Sequence, residues 1–179
     1  GRFTSEEWQL VYEKNTKLES LPIFIEDKKA ISIDEIKNRC RDISMKNNET
    51  SLGLIVIDSY QLMEYSNVDD YQAQLERNTK ELKNLAKELN VPVLITAPIS
   101  GRVEERENCR PMLSDIRDSD VLEDYGDIIV MLYRDEYYDP ETEDRGIAEL
   151  IVTTHRNGPV GTVKMLFEPH FGRYRNLAA

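Results

Sequence analysis

Along the chain, apolar residues recur with two different periods, and the switches between them mark out the elements. In TSEEWQLVYEKNTKLESL, from Thr4, a Ser/Thr followed by acids precedes Trp8, Val11, Tyr12 and Leu18 at helical spacing, which predicts a helix that ends before Pro22. PIFIED, residues 22–27, predicts a short strand. Ser32 then stands three residues ahead of Glu35, the capping-box arrangement, and Ile33, Ile36, Cys40 and Ile43 predict the buried stripe of a second helix. In SLGLIVIDSYQLM, residues 51–63, five of the six positions from Leu52 to Ile57 are apolar, the pattern of a strand buried on both faces of a parallel sheet.

The polar stretch from Glu64 to Asp70 reads as a loop. A long helix follows in YQAQLERNTKELKNLAKELN, with Leu75, Leu82, Leu85, Ala86 and Leu89 on one core-facing side. VPVLITAPI and GDIIVMLYRDE predict two more strands, the second introduced by Gly126 and Asp127. IAELIVTTHR and GTVKMLFEP are separated by NGP, and the Asn157-Gly158 turn signal makes them an antiparallel hairpin. Strands alternating with helices and then a terminal hairpin describe one α/β domain over residues 1–179, a mostly parallel sheet with a C-terminal antiparallel extension. There is no internal repeat, low-complexity segment or linker.

Composition narrows the class. In 179 residues, 34 acidic against 23 basic side chains give a net charge of -11, which excludes a generally basic nucleic-acid coat and leaves room only for local nucleic-acid contacts. Cys40 and Cys109 are far apart, and only His155 and His170 could join them, so no zinc spacing arises and a reducing compartment is expected. No apolar run reaches membrane-spanning length and GRFTSEEW lacks a signal peptide's apolar stretch, so the expectation is a soluble, cytoplasmic protein without membrane partners. The acidic loop DEYYDPETEDRG is interrupted by Pro140 and lacks calcium-loop spacing, which favours solvated surface.

Candidate chemistry begins at Asp58, where the apolar run stops. The carboxyl end of a strand is where open α/β sheets place ligands, and a carboxylate there can hold water or Mg²⁺ beside a phosphate. A turn-forming aspartate is the plain alternative.

Taken together, LGLIVIDSYQLM, LKNLAKELNVPV, RPMLSDIRDSDVLEDYGDIIVMLYRDEYYD and HRNGPVGTVKMLFEP resemble the C-terminal motor domain of the bacterial DnaB-type replicative helicases, a RecA-like ATPase. The resemblance implies a RecA-like three-layer fold, ATP and Mg²⁺ as cofactors, and a hexameric ring that unwinds duplex DNA with single-stranded DNA in its channel. It also implies as partners copies of itself or of an intact helicase, and a helicase loader or primase. Asp58 matches the Walker B aspartate that supports Mg²⁺, a catalytic and cofactor-binding role. Arg156 matches the arginine finger that reaches a neighbouring subunit's nucleotide, a task suited to a permanently charged guanidinium. Arg117 and Asp118 match positions along the DNA strand; for Arg117 the alternative is a surface ion pair with Asp120 or a neighbour of Ser114.

The departures from the family pattern are specific. No GxxxxGK[ST] occurs among the eight glycines, so the phosphate cradle is absent, as is the water-activating glutamate of the following strand. Pro98 replaces a glutamine that senses the γ-phosphate, Thr154 a lysine two residues before the finger, and Asp120 a glycine of the DNA loop. In RecA-like ATPases the P-loop strand runs between those matching PVLIT and DIIVML. Here the flanking strands must pair directly, leave a gap or recruit a strand. PIFIED, LGLIVIDS, PVLIT and DIIVML are expected in one sheet. Two functional readings follow: a portion of a helicase motor unable to hydrolyse ATP alone, or a non-catalytic module that docks on a helicase or loader. An unrelated α/β enzyme lacks any supporting motif such as GxSxG, HExxH or GxGxxG.

Overall fold

Thr4 starts the first helix with a reciprocal cap. Its side chain accepts from the Glu7 amide at 3.2 Å, while its own amide donates to the Glu7 carboxylate at 2.7 Å. The computed structural model describes residues 3–46, 52–63 and 70–177. In it this helix, α1, spans Ser5–Glu19. Its cap and spacing are as expected, but it buries no residue: Trp8, Val11, Tyr12 and Leu18 are all exposed. The strand expected at PIFIED does not form. Ile23, Phe24 and Ile25 are exposed, and no described strand lies beside them to take up their backbone N–H and C=O groups.

Ser32 and Glu35 form the second capping box, with the Ser32 amide donating to Glu35 at 3.1 Å and Ser32 Oγ accepting from the Glu35 amide at 3.3 Å. Helix α2 follows over Ile33–Lys46 and buries Ile33, Ile36 and Cys40. Helix α3, Tyr71–Leu89, turns Leu75, Leu82 and Leu85 into the same core and stops where Asn90 adopts the left-handed conformation at φ 53°. Of the polar loop expected from Glu64 to Asp70, residues 64–69 lie outside the described residues. Between α2 and α3 runs β1, Ile55–Ile57, paired in parallel with β2, Val93–Ile95. Ile55 and Ile57 are buried while Leu54 and Val56 are exposed, so this strand is covered on one face, not on both as its apolar run suggested.

After β2 the chain passes through short 3-10 turns to α4, Ser119–Tyr125, and then β3, Ile128–Tyr133. A one-turn helix α5, Asp135–Tyr138, leads through the acidic loop to β4, Ile147–His155, β5, Gly161–Glu168, and β6, Arg173–Asn176. The hairpin at Asn157-Gly158 forms as predicted. Gly158 is required there: a Cβ on it would fall 2.3 Å from the His155 ring.

The four late strands form an antiparallel sheet in the order β3-β4-β5-β6, separate from β1-β2. The expectation of one sheet is therefore corrected. Among the described residues no strand pairing joins β2 to β3, and a gap lies between the strands that flank the family's P-loop strand. Side chains connect the two sheets instead. Ala97 and Leu122 pack against both the α2–α3 core and the smaller cluster of Ile116, Ile129 and Met131. The outer face of β3 leaves Ile128, Val130 and Leu132 about half exposed.

Candidate functional site

The parallel register sets Ile57 beside Ile95 and so places Asp58 beside Thr96 at the carboxyl end of both strands. Asp58 is exposed, and the Thr96 hydroxyl donates to its carboxylate. The pair is an all-oxygen surface of the kind that suits Mg²⁺ accompanied by phosphates and water. Among the described residues no group of three or more His, Cys, Asp or Glu gathers to cage a metal, so the protein groups fit Mg²⁺ only as a partial shell. Thr96 was not singled out from the sequence, although a parallel pairing of IVI with VLI would have found it.

Two residues after Asp58, the chain turns inward at Tyr60, which is 2% exposed. The Tyr60 hydroxyl donates to the backbone carbonyl of Arg117 at 2.9 Å, and burial first, then nearby Tyr71 and Asp118, push this phenol up to about 12. Tyr71, at the start of α3, donates its hydroxyl to Asp118 Oδ2 at 3.0 Å. Asp118 holds φ 59° as the residue before α4, a left-handed conformation uncommon outside glycine. Arg117 is exposed, with its guanidinium 5.4 Å from the centre of the Tyr71 ring and its Nε 3.6 Å from Asp118. Neither Asp120, which is exposed in the first turn of α4, nor a neighbour of Ser114 is its partner.

The approach to that turn is pinned by a second clamp. Asp115, 4% exposed, accepts from the Arg106 guanidinium at 2.8 Å and from the Met112 amide at 2.6 Å. The Arg106 hydrogen bond holds the Asp115 carboxyl below the usual range, against the opposing effect of burial.

Arg156 lies on the β4-β5 turn. Its backbone amide donates to the Asp127 carbonyl at 2.9 Å, and its guanidinium donates to the carbonyl of Asp124 near the end of α4. The carboxylates that sequence proximity offered are engaged elsewhere: Glu149 with Arg110, and Glu168 with Arg173. Thus α4 has the Arg117–Asp118 turn at its start and Arg156 against its end. Among the described residues no hydrogen bond or ion pair joins Asp58 to Arg156. Pro98 is exposed beyond β2, and Thr154 sits in β4 opposite Ile129.

A family model described as the DnaB-like helicase C terminal domain matches residues 1–176. The replicative DNA helicase DnaC of Bacillus subtilis (strain 168) is 40% identical over 99% of this chain and 39% of its own length. The replicative DNA helicase DnaB of Geobacillus stearothermophilus is 38% identical, again over 99% and 39%. The chain therefore spans about two fifths of the length of these relatives. Among solved structures, one determined as an isolated ATPase domain superposes with a TM-score of 0.90 at 38% identity, covering 98% of this chain and 62% of that one. A DnaB-like replicative helicase, determined with its interactions with primase, gives 0.89 at 38%, covering 98% and 42%. The fold is α/β of the RecA-like class found in those structures, and the chain belongs to the family of DnaB-like helicase C-terminal domains.

Proposed function

We propose that the chain is a portion of a replicative DNA helicase motor that works in a ring, presents Arg117 and Asp118 to single-stranded DNA, and lends Arg156 to the nucleotide of a neighbouring subunit. The observation that carries this reading is the separation of Asp58 from Arg156. Asp58 and Thr96 share the end of the parallel pair, whereas Arg156 sits on an exposed turn against α4, and among the described residues no bond links it to them. A site whose metal-supporting carboxylate and whose cation lie apart in one chain is complete only when two copies meet. ATP and Mg²⁺ are the corresponding cofactors: Asp58 and Thr96 would hold Mg²⁺, which neutralises phosphate charge when bound. The chain does not hydrolyse ATP by itself, because phosphoryl transfer depends on positioning and electrostatics and the GxxxxGK[ST] cradle is absent from it. A cytoplasmic location accompanies this reading; among the described residues no helix is long and apolar enough to cross a membrane.

Mixing the chain with an intact relative and measuring ATP hydrolysis tests the reading. With co-assembly verified by sedimentation, Arg156→Ala should lower the rate by a large factor, up to the roughly 10³-fold such arginines contribute. Equal rates for parent and variant would make Arg156 structural. They would favour the second reading, a non-catalytic module that docks on a helicase, loader or primase. The exposed Pro98, which has neither amide side chain nor backbone N–H, is the observation on that side.

A further inference from the structure

Tyr60 and Tyr71 come from different elements, one from the turn after β1 and the other from the start of α3, and they converge on two consecutive residues. Tyr60 donates to the carbonyl of Arg117 at 2.9 Å and Tyr71 to the carboxylate of Asp118 at 3.0 Å. The turn they grip does not hold its shape cheaply, because Asp118 is a β-carbon-bearing residue at φ 59°. Its side chain makes no cap to α4, so its carboxylate is committed to Tyr71 and, at 3.6 Å, to Arg117. The Tyr71 ring also lies under the Arg117 guanidinium and limits where that exposed cation can point. Tyr60 is fixed in turn, being buried in the α2–α3 core, with its backbone amide donating to the Thr96 carbonyl at 3.3 Å. Thr96 is the residue whose hydroxyl binds Asp58.

We propose that Tyr60 and Tyr71 are positioning residues whose hydroxyls tie the DNA-facing Arg117–Asp118 turn to the strand ends carrying Asp58 and Thr96. This rests on the DNA-facing reading of Arg117 given above. The turn is then presented in one conformation, and displacement at the Asp58 end is passed to it through a path of one buried side chain. The two tyrosines do not touch DNA; they set the orientation of the arginine that does.

The test uses the whole chain and the variants Tyr60→Phe and Tyr71→Phe, which keep the rings and remove only the hydroxyls. Amide hydrogen exchange, measured without DNA, should accelerate about fivefold at Asp118–Asp120 in each variant, the effect of one lost hydrogen bond, and stay unchanged along α3. Affinity for an oligothymidylate single strand should fall by up to about fivefold while the slope of log affinity against log salt is kept, because the same phosphate contact forms from a looser turn. Arg117→Ala, by contrast, should reduce that slope by about one. Unchanged exchange at Asp118–Asp120 in both variants, or acceleration spread equally over α3, would overturn the positioning role. Affinity indifferent to Arg117→Ala would overturn the DNA-facing reading instead. The two failures are distinguishable because exchange is read in the absence of DNA.

Discussion

Helices α1 and α2 both begin on a capping box, Thr4 with Glu7 and Ser32 with Glu35, and both carry apolar residues at helical spacing. Yet α2 buries Ile33, Ile36 and Cys40, and α1 buries nothing. The caps satisfy orphan amides wherever the local sequence allows, so they specify where a helix starts in either setting. Burial requires a second surface. For α2 that surface is α3, reinforced by Arg41 with Glu88 at 2.7 and 2.8 Å and by Lys37 with Glu81. The same signals therefore carry different energetic weight, and the stability of the described chain resides in the α2–α3–β1 core.

The largest effect should come from that core. Leu85 is fully buried, and Leu85→Ala should lower unfolding free energy by about 2–5 kcal/mol, read as a fall in the urea midpoint. Next is the Asp115 clamp. Removing its carboxylate leaves Arg106 and the Met112 amide without their acceptor, and Asp115→Ala should cost about 2 kcal/mol. The clamp also predicts a pH dependence. Its folded pKa lies below the ordinary value, so its contribution is complete above the ordinary carboxylate pKa of about 4 and is lost as pH falls through the folded value. The difference in urea midpoint between parent and Asp115→Asn should narrow across that acid range and be constant near neutrality.

The capping boxes test the comparison directly. Ser32→Ala should lower global stability by about 1 kcal/mol, because α2 is part of the cooperative core. Thr4→Ala should reduce helicity over residues 5–19, seen by circular dichroism, while the urea midpoint stays where it was.

Local chemistry made much of this fold legible. Thr4, Ser32 and Asn157-Gly158 sit where the residue types predict them, since caps and tight turns depend on a few neighbouring atoms. Strand pairing is a different matter. PIFIED has a strand's composition and no described strand beside it, and PVLIT and DIIVML have strand character without pairing to one another. Composition states that a segment suits a sheet; only the presence of a neighbouring edge makes it a strand. At the site, Asp58 could be placed from the end of its apolar run. Its partner Thr96, and the contacts of Tyr60, Tyr71 and Asp124 with Arg117, Asp118 and Arg156, join residues far apart in the chain, and no local pattern announces them. Arg117 likewise finds the Tyr71 ring rather than a helical neighbour, because Asp118 interrupts the helix before the i,i+3 spacing can operate.

The smallest effect belongs to Trp8, which the pattern would rank among the strongest core candidates. It is the one tryptophan of the chain, and it is 58% exposed, with the Phe3 ring edge-on at 5.4 Å. An aromatic pair of this kind contributes about 0.5–1.5 kcal/mol when it is part of a packed surface. Here both rings face water and neither belongs to a core cluster, so the contact stabilises α1 alone and not the cooperative unit. Trp8→Ala should therefore change the urea midpoint by less than about 0.5 kcal/mol equivalent, below the effect of Ser32→Ala, although it removes the larger side chain. The indole supplies its own check, since its emission in the folded chain should already be that of a water-exposed ring and shift little on unfolding. A blue-shifted emission, together with a loss comparable to Leu85→Ala, would show that α1 is packed as firmly as α2 and would dissolve the contrast between them.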